Sequence, residues 1–149
     1  LQKPLIAVGS LDALTEVARE DYEAGILSVS DWDRALLCPM VDARRMEVYA
    51  QVFDAEGRPQ NEVTAEVIDA GSFREFREQG RPFVIFGSGA RKCAEVLAGA
   101  EFVEVAPSAR GLARLAQQAL DEGRTEDIAY FEPFYLKDFV VTTSKKSLF

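Results

Sequence analysis

A chain of 149 residues with 25 acidic and 17 basic side chains carries a formal charge of −8, and 48% of it is hydrophobic. That length fits one domain or at most two; the balance excludes a disordered chain and a free-standing nucleic-acid binder, whose phosphate contacts need a basic surface. There is no histidine, which argues against zinc hydrolases and against Ser-His-Asp or Cys-His catalysis, while an all-carboxylate magnesium or calcium site stays open.

Two cysteines, Cys38 and Cys93, stand in apolar surroundings and read as reduced, buried thiols of a cytosolic protein. No apolar run reaches the roughly 18 residues a membrane span needs, and no signal-peptide pattern opens the sequence. Leu1 reads as mid-fold, which points to a fragment lacking an N-terminal part.

Residues 4–9 form a short apolar run ending in Gly9-Ser10, the pattern of a buried strand. Ser10 suits a helix N-cap. Leu11, Leu14, Ala18 and Tyr22 then predict a helix over 11–23, closed by Gly25. Its acidic residues Glu16, Glu20, Asp21 and Glu23 read as a solvated face. Residues 26–35 are mixed and hold the only tryptophan, Trp32.

Strand signals begin at Leu36 and run to Asp42, with Pro39 expected at an edge, a strand start or a bulge. Residues 46–54 alternate, Val48, Ala50 and Val52 on one face and Tyr49, Gln51 and Phe53 on the other. Residues 62–69 alternate as well, with Val63, Ala65 and Val67 inward and Glu62, Thr64 and Glu66 outward. One solvated face predicts a three-stranded antiparallel meander covered on one side.

Ser72-Phe73-Arg74-Glu75 has the spacing of a capping box and predicts a short helix ending at Gly80. Residues 82–86 are a continuous apolar run, as in a strand buried on both faces. Gly87-Ser88-Gly89 breaks it, a helix is expected over 90–98, and a short strand over 101–105. Ser108 opens a last helix with the stripe Leu112, Leu115, Ala116, Ala119 and Leu120, closed by Gly123. The tail is aromatic and then Lys-rich; Lys145-Lys146 is too short for a nucleic-acid patch. The order of elements is mixed α/β. It is similar to the ribonuclease-H-like core of actin-like, sugar-kinase and Hsp70 ATPase folds.

Three features bear on function. Gly87-Ser88-Gly89-Ala90-Arg91-Lys92 lies between a buried strand and a helix start, where glycines allow a phosphate close approach. It lacks Walker or Rossmann spacing, and a plain tight turn between strand and helix is the simpler reading. Asp42 ends a strand with Arg44, Arg45 and Glu47 close behind. It suits a magnesium ligand near a phosphate, or a turn-forming aspartate that bonds its own backbone, with Arg44 and Glu47 pairing across the hairpin. The Leu112–Leu120 stripe is either core or a partner surface.

Several segments resemble one family. Val41-Asp42-Ala43-Arg44-Arg45-Met46-Glu47-Val48-Tyr49 resembles its "(I/V)DAR…(G/E)(E)VY" hairpin. Pro4 to Leu14 resembles its "PL.GVS.LEAL" strand-helix segment, and Pro133-Phe134-Tyr135-Leu136-Lys137 its terminal "P.YLR" motif. This is the bacterial TsaB (YeaZ) family of tRNA threonylcarbamoyladenosine biosynthesis, also called glycoprotease-like or M22 peptidase homologues.

The resemblance implies an actin-like fold of two ribonuclease-H-like lobes, with most of the first lobe missing. Residues 1–30 would end that lobe, 36–106 would form the second, and 107–149 would return to the first as a helix and tail. It implies a non-catalytic scaffold that binds the catalytic subunit TsaD and the ATPase TsaE. Together these place threonylcarbamoyl on adenosine 37 of tRNA. The tRNA would be met only through the complex; homodimers and a cytoplasmic location are implied too. No cofactor is expected to bind tightly. ATP or ADP with magnesium would bind weakly, or only in the complex, at Asp42, Gly87 and Gly89. Leu112, Leu115, Ala116, Ala119 and Leu120 would face a partner. The alternatives are an actin-like ATPase or nucleotide-binding lobe and, from the older label, a metallopeptidase.

Overall fold

The computed structural model describes residues 3–133. Helix α1 (Ser10–Glu23) leads into strands β1 (Leu36–Asp42), β2 (Glu47–Ala50), β3 (Phe53–Asp54) and β4 (Thr64–Val67). Helix α2 (Arg74–Arg77), strand β5 (Phe83–Phe86), helix α3 (Ala90–Cys93), strand β6 (Glu101–Phe102) and helix α4 (Arg110–Asp121) follow. The strands form one mixed sheet in the order β4-β2-β1-β5-β6, with β3 also pairing β1. β1 runs antiparallel to β2 and parallel to β5.

The continuous apolar runs of β1 and β5 are central and buried on both faces, as such runs must be. Leu36, Cys38, Met40 and Ile85 face one core, shared with Phe73, Cys93 and Leu97. Leu37, Val84 and Phe86 face a second core, shared with Leu11, Leu14 and Val17 of α1. Tyr22 of α1 stacks on Trp32 with ring centres 4.2 Å apart. The meander β4-β2-β1 is as expected, but the single covered face is not. Helices and turns close both sides because β1 and β5 offer apolar side chains in both directions.

Pro39 lies in a central strand and not at an edge. The β1 pairings with β2 and with β3 share one register, which sets Pro39 opposite Gln51. The ladder therefore breaks without slipping at the point where proline supplies no N–H. This splits the expected 46–54 strand in two. The Val52 N–H donates instead to Asn61 Oδ1 at 2.8 Å. β4 is an edge strand, paired with β2 so that Glu66, not Val67, lies opposite Val48. Val67 is 66% exposed, contrary to its inward assignment.

Residues 4–9 are not a strand. Their run has no sheet neighbour apart from a single bridge between Leu5 and Glu126. The capping box does not form either. Phe73 turns left-handed at φ 57° before α2, and its ring packs 5.7 Å from that of Phe83. Burying the ring outweighs the roughly 1–2 kcal/mol of that backbone state. Ser72 Oγ accepts the Asp69 N–H at 2.9 Å instead. Helix α3 stops at Cys93; three-residue turns carry the chain on to Leu97, which is buried in the first core. β6 is two residues long, shorter than the expected 101–105.

Both thiols are free and buried, Cys38 on β1 and Cys93 on α3. Burial pushes both above the ordinary thiol range. A thiol reagent at pH 8 is therefore expected to leave the native chain unreacted over minutes and to titrate both cysteines in denaturant. Rapid native reaction would contradict the packing of Cys38 and Cys93.

Candidate functional site

Asp42 stands where β1 enters its hairpin. Its Oδ1 accepts the Arg44 N–H at 3.2 Å, the turn-forming role. Arg44 and Arg45 are both left-handed, at φ 76° and 49°, a strained pair for residues with a Cβ. The same carboxylate receives the Lys92 ammonium of α3, and Lys92 Nζ also donates to the Glu47 carbonyl at 2.9 Å. The bond from Lys92, then that from the Arg44 N–H, holds the Asp42 carboxyl below its ordinary range.

The glycine turn is pressed against the same strand end. Gly89 N–H donates to the Met40 carbonyl at 2.9 Å, and Ser88 Oγ accepts the Asp42 N–H at 3.0 Å. A Cβ on Gly87 would lie 2.4 Å from the Met40 oxygen, and one on Gly89 would lie 2.7 Å from Val48 Cγ1. The close approach these glycines permit is made to β1 of the same chain. α3 is a single turn of four residues, so few aligned amides face a phosphate there. As arranged, Asp42, Gly87 and Gly89 come together but serve internal packing. A magnesium nucleotide at Asp42 would have to displace Lys92. Among the described residues, no three of His, Cys, Asp and Glu gather to hold a metal ion.

A cleft of about 800 Å³ opens on the α1 side of the sheet. Residues 6–12 form one wall, Val41, Tyr49, Gln51 and Val63 another, and residues 131–133 a third. Asp12, in the first turn of α1, lines it. Burial raises the Asp12 carboxyl above its usual range, partly offset by a hydrogen bond from its own backbone. The cleft therefore combines an apolar floor with a desolvated acid, a tyrosine and an amide.

The stripe on α4 divides. Ala119 is buried, Leu115 and Ala116 are half-buried, and Leu112 and Leu120 stand 41% and 42% exposed. Helix α4 packs on α1. Ile128, Tyr130 and Phe131 add to the apolar surface beyond it.

No family model and no curated protein matches the chain. Two solved structures match its fold. YeaZ from Pseudomonas aeruginosa matches with a TM-score of 0.67 at 19% identity, over 90% of this chain and 61% of that one. An uncharacterized protein with similarity to peptidase YEAZ from Pseudomonas aeruginosa matches with a TM-score of 0.61 at 21% identity, over 91% of this chain and 60% of that one. The chain has the fold of YeaZ. It spans about three-fifths of the length of those structures.

Within this YeaZ fold, the hairpin Val41–Tyr49 quoted for the resemblance is the β1–β2 turn that carries Asp42. Tyr135 and Lys137 of the terminal motif lie outside the described residues, as do Lys145 and Lys146. Sequence reasoning missed three things. In the sequence Lys92 is only the last residue of a glycine-turn motif, yet it neutralises Asp42 from 50 positions away. The cleft joins residues 6–12 to β2 and to residues 131–133, and no local pattern shows that meeting. Glu16 and Asp21 read as part of a solvated face in the sequence, yet both are buried, because α4 lies over them and brings Arg114 and Arg110.

Proposed function

We propose that this chain acts as a non-catalytic, partner-binding subunit in threonylcarbamoylation of adenosine 37 of tRNA. It would bind a TsaD-type catalytic subunit and support a TsaE-type ATPase, in the cytoplasm, and meet tRNA only within that complex. Homodimerisation belongs to the same reading. The observation that carries it is the YeaZ-like fold over nine-tenths of the chain, joined to the Val41–Tyr49 motif at its central hairpin. The absence of histidine from the sequence and the pairing of Asp42 with Lys92 favour a supporting role over a hydrolytic one. Among the described residues, no helix is long and apolar enough to cross a membrane.

The test is co-elution of the full-length protein with the TsaD of the same organism on a sizing column. A stable complex is the expected result. Separate peaks with ATP and tRNA present would overturn the reading. So would cleavage of casein by the protein alone with added zinc.

A further inference from the structure

The seam between α1 and α4 carries a run of charged pairs. Glu16 of α1 is only 6% exposed and receives Arg114 Nε and Nη2 at 2.6 Å each. Arg19 Nη1 reaches the same carboxylate at 2.9 Å, and Arg19 Nε donates to the Ala55 carbonyl at 3.1 Å. One turn further along α1, Arg110 Nη2 bonds Asp21 at 3.0 Å and its Nη1 lies 3.9 Å from Glu20. Beside these pairs, Leu115 and Ala116 of α4 are half-buried. On α4 only Gly111 and Ala119 are buried, and Gly111 touches the α1 backbone so closely that a Cβ there would lie 2.1 Å from the Ala13 oxygen. Twelve residues are too few for a helix that persists by itself in water, so α4 is helical because it is docked.

We infer that α4 is a latch. It is held on α1 by the Glu16–Arg114 and Asp21–Arg110 pairs and releases as a unit when those charges are screened or discharged, uncovering Ala13 and Val17. Salt weakens the half-exposed guanidinium partners, while the central strands β1 and β5 stay paired. Acid acts on the same seam. Burial alone would raise the Glu16 carboxyl, but Arg114 and Arg19 hold it below the ordinary range. The contribution of the Glu16 pair is thus fully present above the usual glutamate pKa and is lost as pH falls through the lowered value. The charged groups facing Glu16 are Arg19 on α1 and Arg114 on α4; Arg110 faces Glu20 and Asp21, and the turn after β3 holds Arg19 through the Ala55 carbonyl. Glu20 and Glu23 add their fields at Arg114.

Amide hydrogen exchange of the whole chain between about 0.05 M and about 1 M sodium chloride tests this. Amides of residues 114–121 are expected to lose roughly tenfold in protection at high salt, with β1 and β5 unchanged. Glu16→Gln should show that loss already at low salt and respond little to added salt. A paired Glu16→Leu and Arg114→Leu variant should recover slow exchange with no salt response, because an apolar pair can replace a buried ionic one. Protection of α4 that ignores salt in the unaltered chain, or that falls only together with β1 and β5, would overturn the latch. The paired variant separates loss of the latch from loss of the fold, should Glu16→Gln alone unfold the chain.

Discussion

Gly87→Ala is expected to cost roughly 2–5 kcal/mol of stability, a large share of the ~5–15 kcal/mol of an ordinary domain. Two costs combine. Gly87 sits at φ 103°, where a residue with a Cβ pays about 1–2 kcal/mol or more. The added carbon would also lie 2.4 Å from the Met40 carbonyl oxygen and 2.9 Å from Leu14 Cδ2. Overpacking of this kind costs about 1–3 kcal/mol. The carbonyl cannot retreat freely, because it accepts the Gly89 N–H and belongs to the strand that pairs β2 and β5. Gly25→Ala provides the comparison. Gly25 has φ 75° with nothing within 4 Å of the added carbon, so only the backbone cost of about 1–2 kcal/mol applies. Urea denaturation of both variants measures the difference. Equal losses would show that the β5–α3 turn is not pressed on β1 as described.

Phe86→Ala should cost about 3–5 kcal/mol, the range for truncating a fully buried aromatic side chain. Phe86 ends β5, pairs across from Pro39, and sits in the core that α1 closes with Leu11, Leu14 and Val17. Its ring has no exposed edge, and the neighbours belong to a helix and a central sheet that relax poorly into a cavity. The paired control is Leu112→Ala with Leu120→Ala. Both side chains are over two-fifths exposed, so together they should change stability by only about 0.5–1 kcal/mol. Thermal or urea unfolding compares the two. A loss from the α4 leucines that matched Phe86→Ala would place the helical stripe in the core after all.

The same contrast bears on the proposed function. If the α4 leucines leave stability alone but weaken co-elution with the TsaD-type subunit, the stripe is a partner surface, and the expectation drawn from its spacing stands. A partner that needs α4 undocked would also bind more tightly in salt, the reverse of an ordinary charged interface. The latch and the scaffold reading can therefore be separated in one series of measurements.

Strand periodicity and apolar continuity were legible in the residues alone. Phe83–Phe86 is apolar throughout, so that a strand covered on both faces buries it best, and it lies beside β1 in the middle of the sheet; Leu36–Asp42 was legible as a strand, but not as a central one covered on both faces. The two long helices were equally legible, α1 from Leu11, Leu14 and Ala18 and α4 from its amphipathic period. The Asp42 turn was readable from its chemistry, because an aspartate at a strand end bonds its own backbone. Tertiary structure decided what depends on partners distant in sequence. An apolar run at residues 4–9 is no strand without a neighbour to bond, and a capping box yields when burying Phe73 stabilises more than the cap. Whether a carboxylate faces water or a guanidinium is not written in its own helix. Glu16 became a buried ion-pair centre because α4 folds back over it with Arg114, 98 positions away. Lys92 reached Asp42 because β1 and β5 are neighbours in the sheet. Local patterns determine which residues must be buried; only packing determines which charges meet.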